Sequence, residues 1–256
     1  MAAWDAGGEG EPLLVLLHGL GATRQVFRPM LEQACWKGRW FAIDLPGHGG
    51  SPPSCDYSPE AQAAWVGREI AARQGGGELV VLGHSLGGVV ALALASGRFG
   101  VRPARVFGLG VKAVWTAEEL AAMAARAERP AKTFATQEEA IGQHLKVSGL
   151  QGLVPPRSAM ACSGVRPEGG EWRLAMDPRA NGLGAPPMRR LVRAARAPVH
   201  LACGENDPLS NAVDLRRFDP EARTLPGLGH NAMVEDPRAV WDWLTQVNVG
   251  EDEAAN

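Results

Sequence analysis

Five short apolar runs recur along the chain. They are Leu13-Leu14-Val15-Leu16-Leu17, Trp40-Phe41-Ala42-Ile43, Leu79-Val80-Val81-Leu82, Val106-Phe107-Gly108-Leu109 and Val199-His200-Leu201-Ala202-Cys203. Short runs without polar alternation suit strands buried on both faces, as in a parallel sheet. Helical periodicity lies between them. Residues 59–73 carry Ala61, Ala64, Trp65, Ile70 and Ala71, with Ser58 placed to cap the helix and Pro59 at its first position. Residues 86–96 are apolar and Ala-rich, as a helix buried against a sheet should be, and 237–247 put Val240, Trp241 and Leu244 on one face. Strands alternating with helices predict an α/β fold with a mostly parallel central sheet flanked by helices.

One stretch breaks the alternation. Between the fourth and fifth runs lie residues 112–197, far more than a strand–helix–strand crossover needs. The pattern predicts helices over 116–128, 137–151 and 188–195, separated by a loop rich in Pro and Gly. The chain thus divides into 1–111 and 198–256, which build the sheet, and a mostly helical insertion over 112–197. The insertion holds 13 basic and 8 acidic residues, a net of +5, which leaves −7 for the remainder. Its large apolar residues include Trp115, Met123, Phe134, Leu145, Met160, Trp172 and Met176. They can pack a small core of their own or face a ligand.

Composition narrows the class. With 256 residues, 45% apolar and 21% charged, the chain can bury a large core. A net charge of −2 excludes a strongly basic nucleic-acid binder and an acidic tail protein. The 22 Arg against 4 Lys, with 32 Gly and many Ala, read as codon bias rather than chemistry. Cys35, Cys55, Cys162 and Cys203 form no Cys-x-x-Cys pair and accompany no zinc-spaced histidines. They are expected to be buried, reduced thiols. Residues 1–12 lack the basic start and apolar stretch of a signal peptide, and no apolar run approaches ~20 residues. The expectation is a soluble cytoplasmic protein, monomer or homodimer, with neither membrane nor nucleic-acid partners. No ligand-spaced metal cluster and no Walker-type loop is present, so no cofactor is expected.

The candidate chemistry sits where the apolar runs end. Gly83-His84-Ser85-Leu86-Gly87-Gly88 follows a strand and opens a helix. That is the setting of a Gly-x-Ser-x-Gly nucleophile elbow, where a sharp turn projects the hydroxyl and glycines allow close approach. Leu86 opens the helix, so its N–H can hold an oxyanion. His18-Gly19-Leu20-Gly21 follows the first strand, and the Leu20 N–H can supply a second donor. Gly204-Glu205-Asn206-Asp207-Pro208 places Asp207 at a strand's carboxyl end, where open α/β sheets bind ligands. Asp44 is the alternative acid, but it leads into Leu45-Pro46-Gly47-His48-Gly49, which reads as a turn scaffold. His230 lies on Gly-rich Leu228-Gly229-His230-Asn231, 23 residues beyond Asp207, free to act as the base that a serine hydroxyl needs. Of the other histidines, His84 is expected to point away from the serine, His18 and His48 belong to turns, His144 lies in the insertion and His200 in a strand.

The order Ser85, Asp207, His230, together with the His18-Gly19-Leu20-Gly21 and Asp44-Leu45-Pro46-Gly47-His48-Gly49 motifs, resembles the α/β-hydrolase fold superfamily. The resemblance implies a Ser85–His230–Asp207 triad, an oxyanion hole from Leu20 and Leu86, and a cap formed by 112–197. Only 12 residues precede the first strong strand, so the leading antiparallel strands should be truncated. A serine nucleophile separates the chain from the haloalkane dehalogenase and epoxide hydrolase branches. The implied activity is cofactor-free hydrolysis of a carboxylic ester or related acyl bond in a small-molecule substrate, through an acyl-enzyme on Ser85. A carbon–carbon bond hydrolase, thioesterase, lactonase, amidase or perhydrolase could share the triad, as could a ligand-binding receptor of the same fold.

Overall fold

A computed structural model describes residues 1–33 and 35–254; Ala34 and residues 255–256, within the expected core segments, lie outside the described residues. The strands are β1 (Trp4–Gly7), β2 (Leu13–Leu17), β3 (Trp40–Ile43), β4 (Leu79–His84), β5 (Arg105–Leu109), β6 (Thr133–Phe134), β7 (Val165–Glu168), β8 (Glu171–Leu174), β9 (Val199–Gly204) and β10 (Arg223–Leu225). The α-helices are α1 (Arg28–Glu32), α2 (Pro59–Ala71), α3 (Leu86–Leu94), α4 (Ala117–Ala127), α5 (Gln137–Val147), α6 (Ala159–Ser163), α7 (Met188–Ala194), α8 (Ala212–Leu215), α9 (Ala232–Glu235) and α10 (Pro237–Ala254). Seven strands form the main sheet in the order β1-β3-β2-β4-β5-β9-β10. β1 runs antiparallel to β3, and the remaining pairings are parallel.

The five apolar runs are β2, β3, β4, β5 and β9. Their lack of alternation follows from burial on both faces: in β2, Leu13, Val15 and Leu17 join one core and Leu14 and Leu16 the other. The first core packs against α2, α3 and α7 through Val66, Ile70, Val90 and Leu191. The second packs against α1 and α10 through Met30, Val240 and Trp241, and the Trp241 indole N–H donates to the Met30 carbonyl at 2.9 Å. Ser58 caps α2 as its position suggests, its hydroxyl accepting from the Ala61 N–H at 3.3 Å. One leading antiparallel strand, β1, precedes β2 and forms the sheet edge.

Two expectations need correction. Residues 112–197 carry the expected helices, α4, α5 and α7, with α6 between them, but they also hold a sheet that the pattern did not predict: β6, β8 and β7 form a three-stranded antiparallel sheet. Its hairpin turns at Gly169 and Gly170, both at positive φ (62° and 85°), the geometry that lets a two-residue turn match strand twist. α7 also packs on α3, so it covers the main sheet rather than extending the inserted elements. Of the cysteines, Cys203 is buried and Cys162 half-buried, but Cys35 and Cys55 are exposed. The exposed pair lies on loops, which run over the surface where backbone polar groups meet water.

Candidate active site

Ser85 sits between β4 and α3 with φ 50° and ψ −113°, and it alone among the described non-glycine residues has a positive φ. Such a conformation costs roughly 1–3 kcal/mol and persists only where surroundings impose it. Here its N–H donates to the Leu109 carbonyl at 2.8 Å, and its carbonyl accepts from the Gly88 and Val89 N–H groups at 3.0 and 3.2 Å. Two glycines make the turn sterically possible. A Cβ on Gly83 would lie 2.1 Å from the Gly87 carbonyl oxygen, and one on Gly87 would lie 2.1 Å from that of Leu17. No side chain fits either space.

The parallel register then gathers the other candidates at the same sheet edge. Leu17 pairs with Gly83, so the turn after β2 lies beside the elbow. In that turn, the His18 Nδ1–H donates to the Gly19 carbonyl at 2.8 Å, and Nε2 accepts from the Leu45 N–H at 2.9 Å. His18 is fully buried, and burial, then the nearby His48, hold its pKa well below the ordinary value, so it acts as a neutral brace. Leu20 and Leu86 both line the cavity that contains Ser85. As the first residue of α3, Leu86 has an N–H with no intrahelical acceptor.

Asp207 follows β9, and His230 follows β10. The His230 Nδ1–H donates to Asp207 Oδ2 at 2.9 Å, while Asp207 Oδ1 accepts from the Leu209 and Ser210 N–H groups at 2.8 and 3.1 Å. The Asp207 side chain has no solvent exposure. With the proton on Nδ1, assigned from this bond, His230 Nε2 carries the lone pair a general base requires. Ser85 and His230 open onto one cavity. Among the described residues no hydrogen bond joins the Ser85 hydroxyl to the imidazole; such contacts are often long until substrate binds.

Asp44 has a different occupation. It is fully buried, and its oxygens accept from the Arg24 N–H (2.8 Å), the Arg24 guanidinium (2.5 Å) and the Gly50 N–H (2.9 Å). It therefore braces the 44–50 turn.

Three further residues serve the site. His84 does not point away, as its place in the elbow suggested: its Nε2–H donates to the His230 carbonyl at 2.8 Å, and the two rings lie 4.7 Å apart. Burial, then His230, push its pKa well down, which keeps it neutral beside that imidazole. Gly110, just after β5, has φ +63°, and a Cβ there would lie 3.2 Å from both Asp207 Oδ2 and His230 Nδ1. The Glu235 carboxylate accepts from the Gly229 and Asn231 N–H groups at 2.7 and 3.1 Å, clamping the His230 loop on both sides. For Gly110 the only sequence signal was a glycine at a strand end; Glu235 lies four residues beyond Asn231, a local acid that could have been read as a clamp, and only the His84 contact is distant in sequence.

The cavity has a volume of about 620 Å³, in the range of small-molecule sites. Of the seven large apolar residues singled out in 112–197, Trp115 and Met123 line it. Phe134, Leu145 and Met160 are buried in the second core instead, with Trp172 packed against it. Among the described residues no cluster of three or more His, Cys, Asp or Glu could hold a metal ion, and no helix is long and apolar enough to cross a membrane.

Known proteins agree with this architecture. The chain is 30% identical to the magnesium-chelatase 30 kDa subunit of Rhodobacter capsulatus, over 94% of its own length and 89% of that protein's. It is 28% identical to 2-succinyl-6-hydroxy-2,4-cyclohexadiene-1-carboxylate synthase of Klebsiella pneumoniae (strain 342), over 96% of this chain and 97% of the synthase. The crystal structure of E-2-(acetamidomethylene)succinate hydrolase superposes with a TM-score of 0.75 at 23% identity, covering 96% and 94% of the two chains, a likeness of fold. Residues 14–243 match the sequence profile of the alpha/beta hydrolase family, and the chain belongs to that family.

Proposed function

We propose that the protein is a serine hydrolase that cleaves a carboxylic ester or related acyl bond without a cofactor. The observation that carries this reading is the buried Asp207 carboxylate, 2.9 Å from His230 Nδ1, behind an imidazole that lines the same cavity as the left-handed Ser85. In the proposed reaction the Ser85 hydroxyl oxygen attacks the carbonyl carbon while His230 Nε2 takes its proton. The N–H groups of Leu20 and Leu86 stabilise the resulting oxyanion. The imidazolium, held by Asp207, protonates the leaving group as the carbonyl re-forms. Water then attacks the acyl-enzyme, giving its proton to His230, and Ser85 is released with its hydroxyl restored. Of residues 112–197, the elements before α7 act as a cap, and they bring Trp115 and Met123 to the cavity.

A fluorophosphonate probe tests the assignment. Mass spectrometry should find the label on Ser85, and Ser85→Ala should abolish labelling and ester hydrolysis while keeping the wild-type melting temperature. Full hydrolysis by the alanine variant would refute it. Similarity to a synthase over 96% of the chain favours a second reading, in which the same three residues serve a reaction that forms no acyl-enzyme. Quenched turnover of an ester separates the two, because only the first leaves an acyl mass on Ser85.

A further inference from the structure

The cavity wall carries more positive charge than the reaction requires. Lys112, Arg126 and Lys146 all line it, contributed by the stretch after β5, by α4 and by α5. Lys112 is neutralised by an ion pair with Glu119, which also lines the cavity. Glu235, the other acid on the wall, is occupied by the two N–H groups of the His230 loop. Arg126 and Lys146 are exposed at the rim, and among the described residues neither has a carboxylate partner. A simpler account is available for their presence: each lies in the last turn of its helix, where a cation suits the helix dipole. That account explains the position along each helix. It does not explain why two separate helices bring those turns to the mouth of the cavity holding Ser85.

The remaining lining is largely apolar and includes Leu20, Leu86, Val89, Met123, Val147 and Leu183, with Leu86 and Val89 on the helix that Ser85 opens. A ligand that matches both features has an apolar body near the nucleophile and an anion at its outer end. We propose that Arg126 and Lys146 form an anion-recognition site at the cavity mouth, so that the substrate is an acyl compound bearing a carboxylate or phosphate remote from the bond that is cleaved. This rests on the serine hydrolase reading of the same cavity. The anion can belong to the acyl chain, as a terminal carboxylate, or to the leaving group, as the phosphate of a carrier.

Two alkyl fluorophosphonates of equal length, one ending in a methyl and one in a carboxylate, test the acyl arm through their second-order rates of Ser85 labelling. At low salt the carboxylate probe should react faster. Arg126→Gln/Lys146→Gln should reduce the ratio of the two rates about tenfold, the order expected when two partly screened charge contacts are lost together. Raising the salt should reduce the ratio in the wild type, because the Debye length shortens from ~10 Å at 0.1 M. Arg157→Gln removes an exposed positive charge of the same insertion from outside the cavity and should leave the ratio unchanged. Butyryl-coenzyme A against butyryl-N-acetylcysteamine, compared as competitors of labelling, reads the phosphate arm. Equal rates for the two probes with no advantage for the coenzyme A thioester overturn the proposal, as does a preference that survives in the double variant. Calorimetric titration of Ser85→Ala with adipate needs no reactive serine: binding that weakens in the triple variant supports the site, and no binding counts against it. Absence of any Ser85 label refutes the hydrolase reading separately.

Discussion

Gly110→Ala should damage catalysis more than its small size suggests. The added methyl meets two penalties. The first is conformational: φ +63° is left-handed, which costs an alanine about 1–2 kcal/mol. For a chain of this length that corresponds to a melting-temperature drop of about 2–8 °C. The second is local. The new Cβ would lie 3.2 Å from both Asp207 Oδ2 and His230 Nδ1, so the two atoms that share the 2.9 Å hydrogen bond must each give by a few tenths of an ångström. Asp207 cannot retreat freely, since the Leu209 and Ser210 N–H groups hold its other oxygen. The imidazole must move instead, and misplacement of a catalytic base on this scale lowers kcat by roughly 10- to 100-fold. Gly97→Ala is the control. Gly97 has φ +68°, but it lies beyond the far end of α3, and its nearest neighbour is the flexible Arg102 side chain at 3.5 Å. Both variants should melt lower by similar amounts, and only Gly110→Ala should lose kcat on a chromogenic ester. Equal kcat in the two, at equal stability loss, would falsify the claim that the Asp207–His230 geometry limits turnover.

Other substitutions and conditions separate roles that the sequence left open. Asp207→Asn keeps the shape but favours the wrong tautomer of His230, so kcat should fall by up to ~10⁴-fold with little change in melting temperature. Asp44→Asn should do the reverse, costing about 2 kcal/mol of stability through its weakened bonds to Arg24 and Gly50, and kinetics with thermal melts on both variants would expose an exchange of roles. Acid should destabilise the fold. Burial pushes the His144 pKa down to about 4, whereas an unfolded histidine titrates near ~6.5. Between those values the unfolded chain binds more protons, so stability falls as pH drops; His18 and His84 are shifted in the same direction. The melting temperature should decline from pH 7 to 5, and His144→Gln should make the decline shallower; a flat profile would count against the buried neutral histidines. Ester hydrolysis should be unchanged in EDTA, measured against a chelator-free control.

What the sequence disclosed and what it hid follow from burial. β2, β3, β4, β5 and β9 read as continuous apolar runs because other strands flank them and both faces are covered. β1 and β10 close the two edges of the sheet. β1 alternates between half-buried and exposed positions, and β10 is three residues long with two of them exposed, so neither produces an apolar run. The small sheet of β6, β7 and β8 was hidden for a related reason. Its strands are two to four residues long and partly exposed, and the Gly169-Gly170 turn was the available sign. The capping boxes Thr116–Glu119 and Thr136–Glu139 fixed the starts of α4 and α5 and were equally open to reading.

The site was legible for the same reason that the parallel strands were. Parallel strands share a carboxyl edge, so four motifs distant in sequence but each ending a strand must emerge side by side once the strands pair. The register brings Leu17 beside Gly83, His84 beside Leu109, Leu109 beside Ala202, and Gly204 beside Leu225. That order sets the Leu20 turn next to Ser85, and Asp207 next to the loop carrying His230, with Gly110 between the two halves. Chain order alone could therefore nominate Ser85, Asp207 and His230. It could not nominate His84, whose bond to His230 spans 146 residues, nor the requirement that Gly110 lack a side chain. Both depend on strand separations and ring orientations, which no motif records. The sequence thus names the groups proposed to react, while the tolerances between them belong to the packing, and variants at the glycines test those tolerances more directly than variants at the reactive groups.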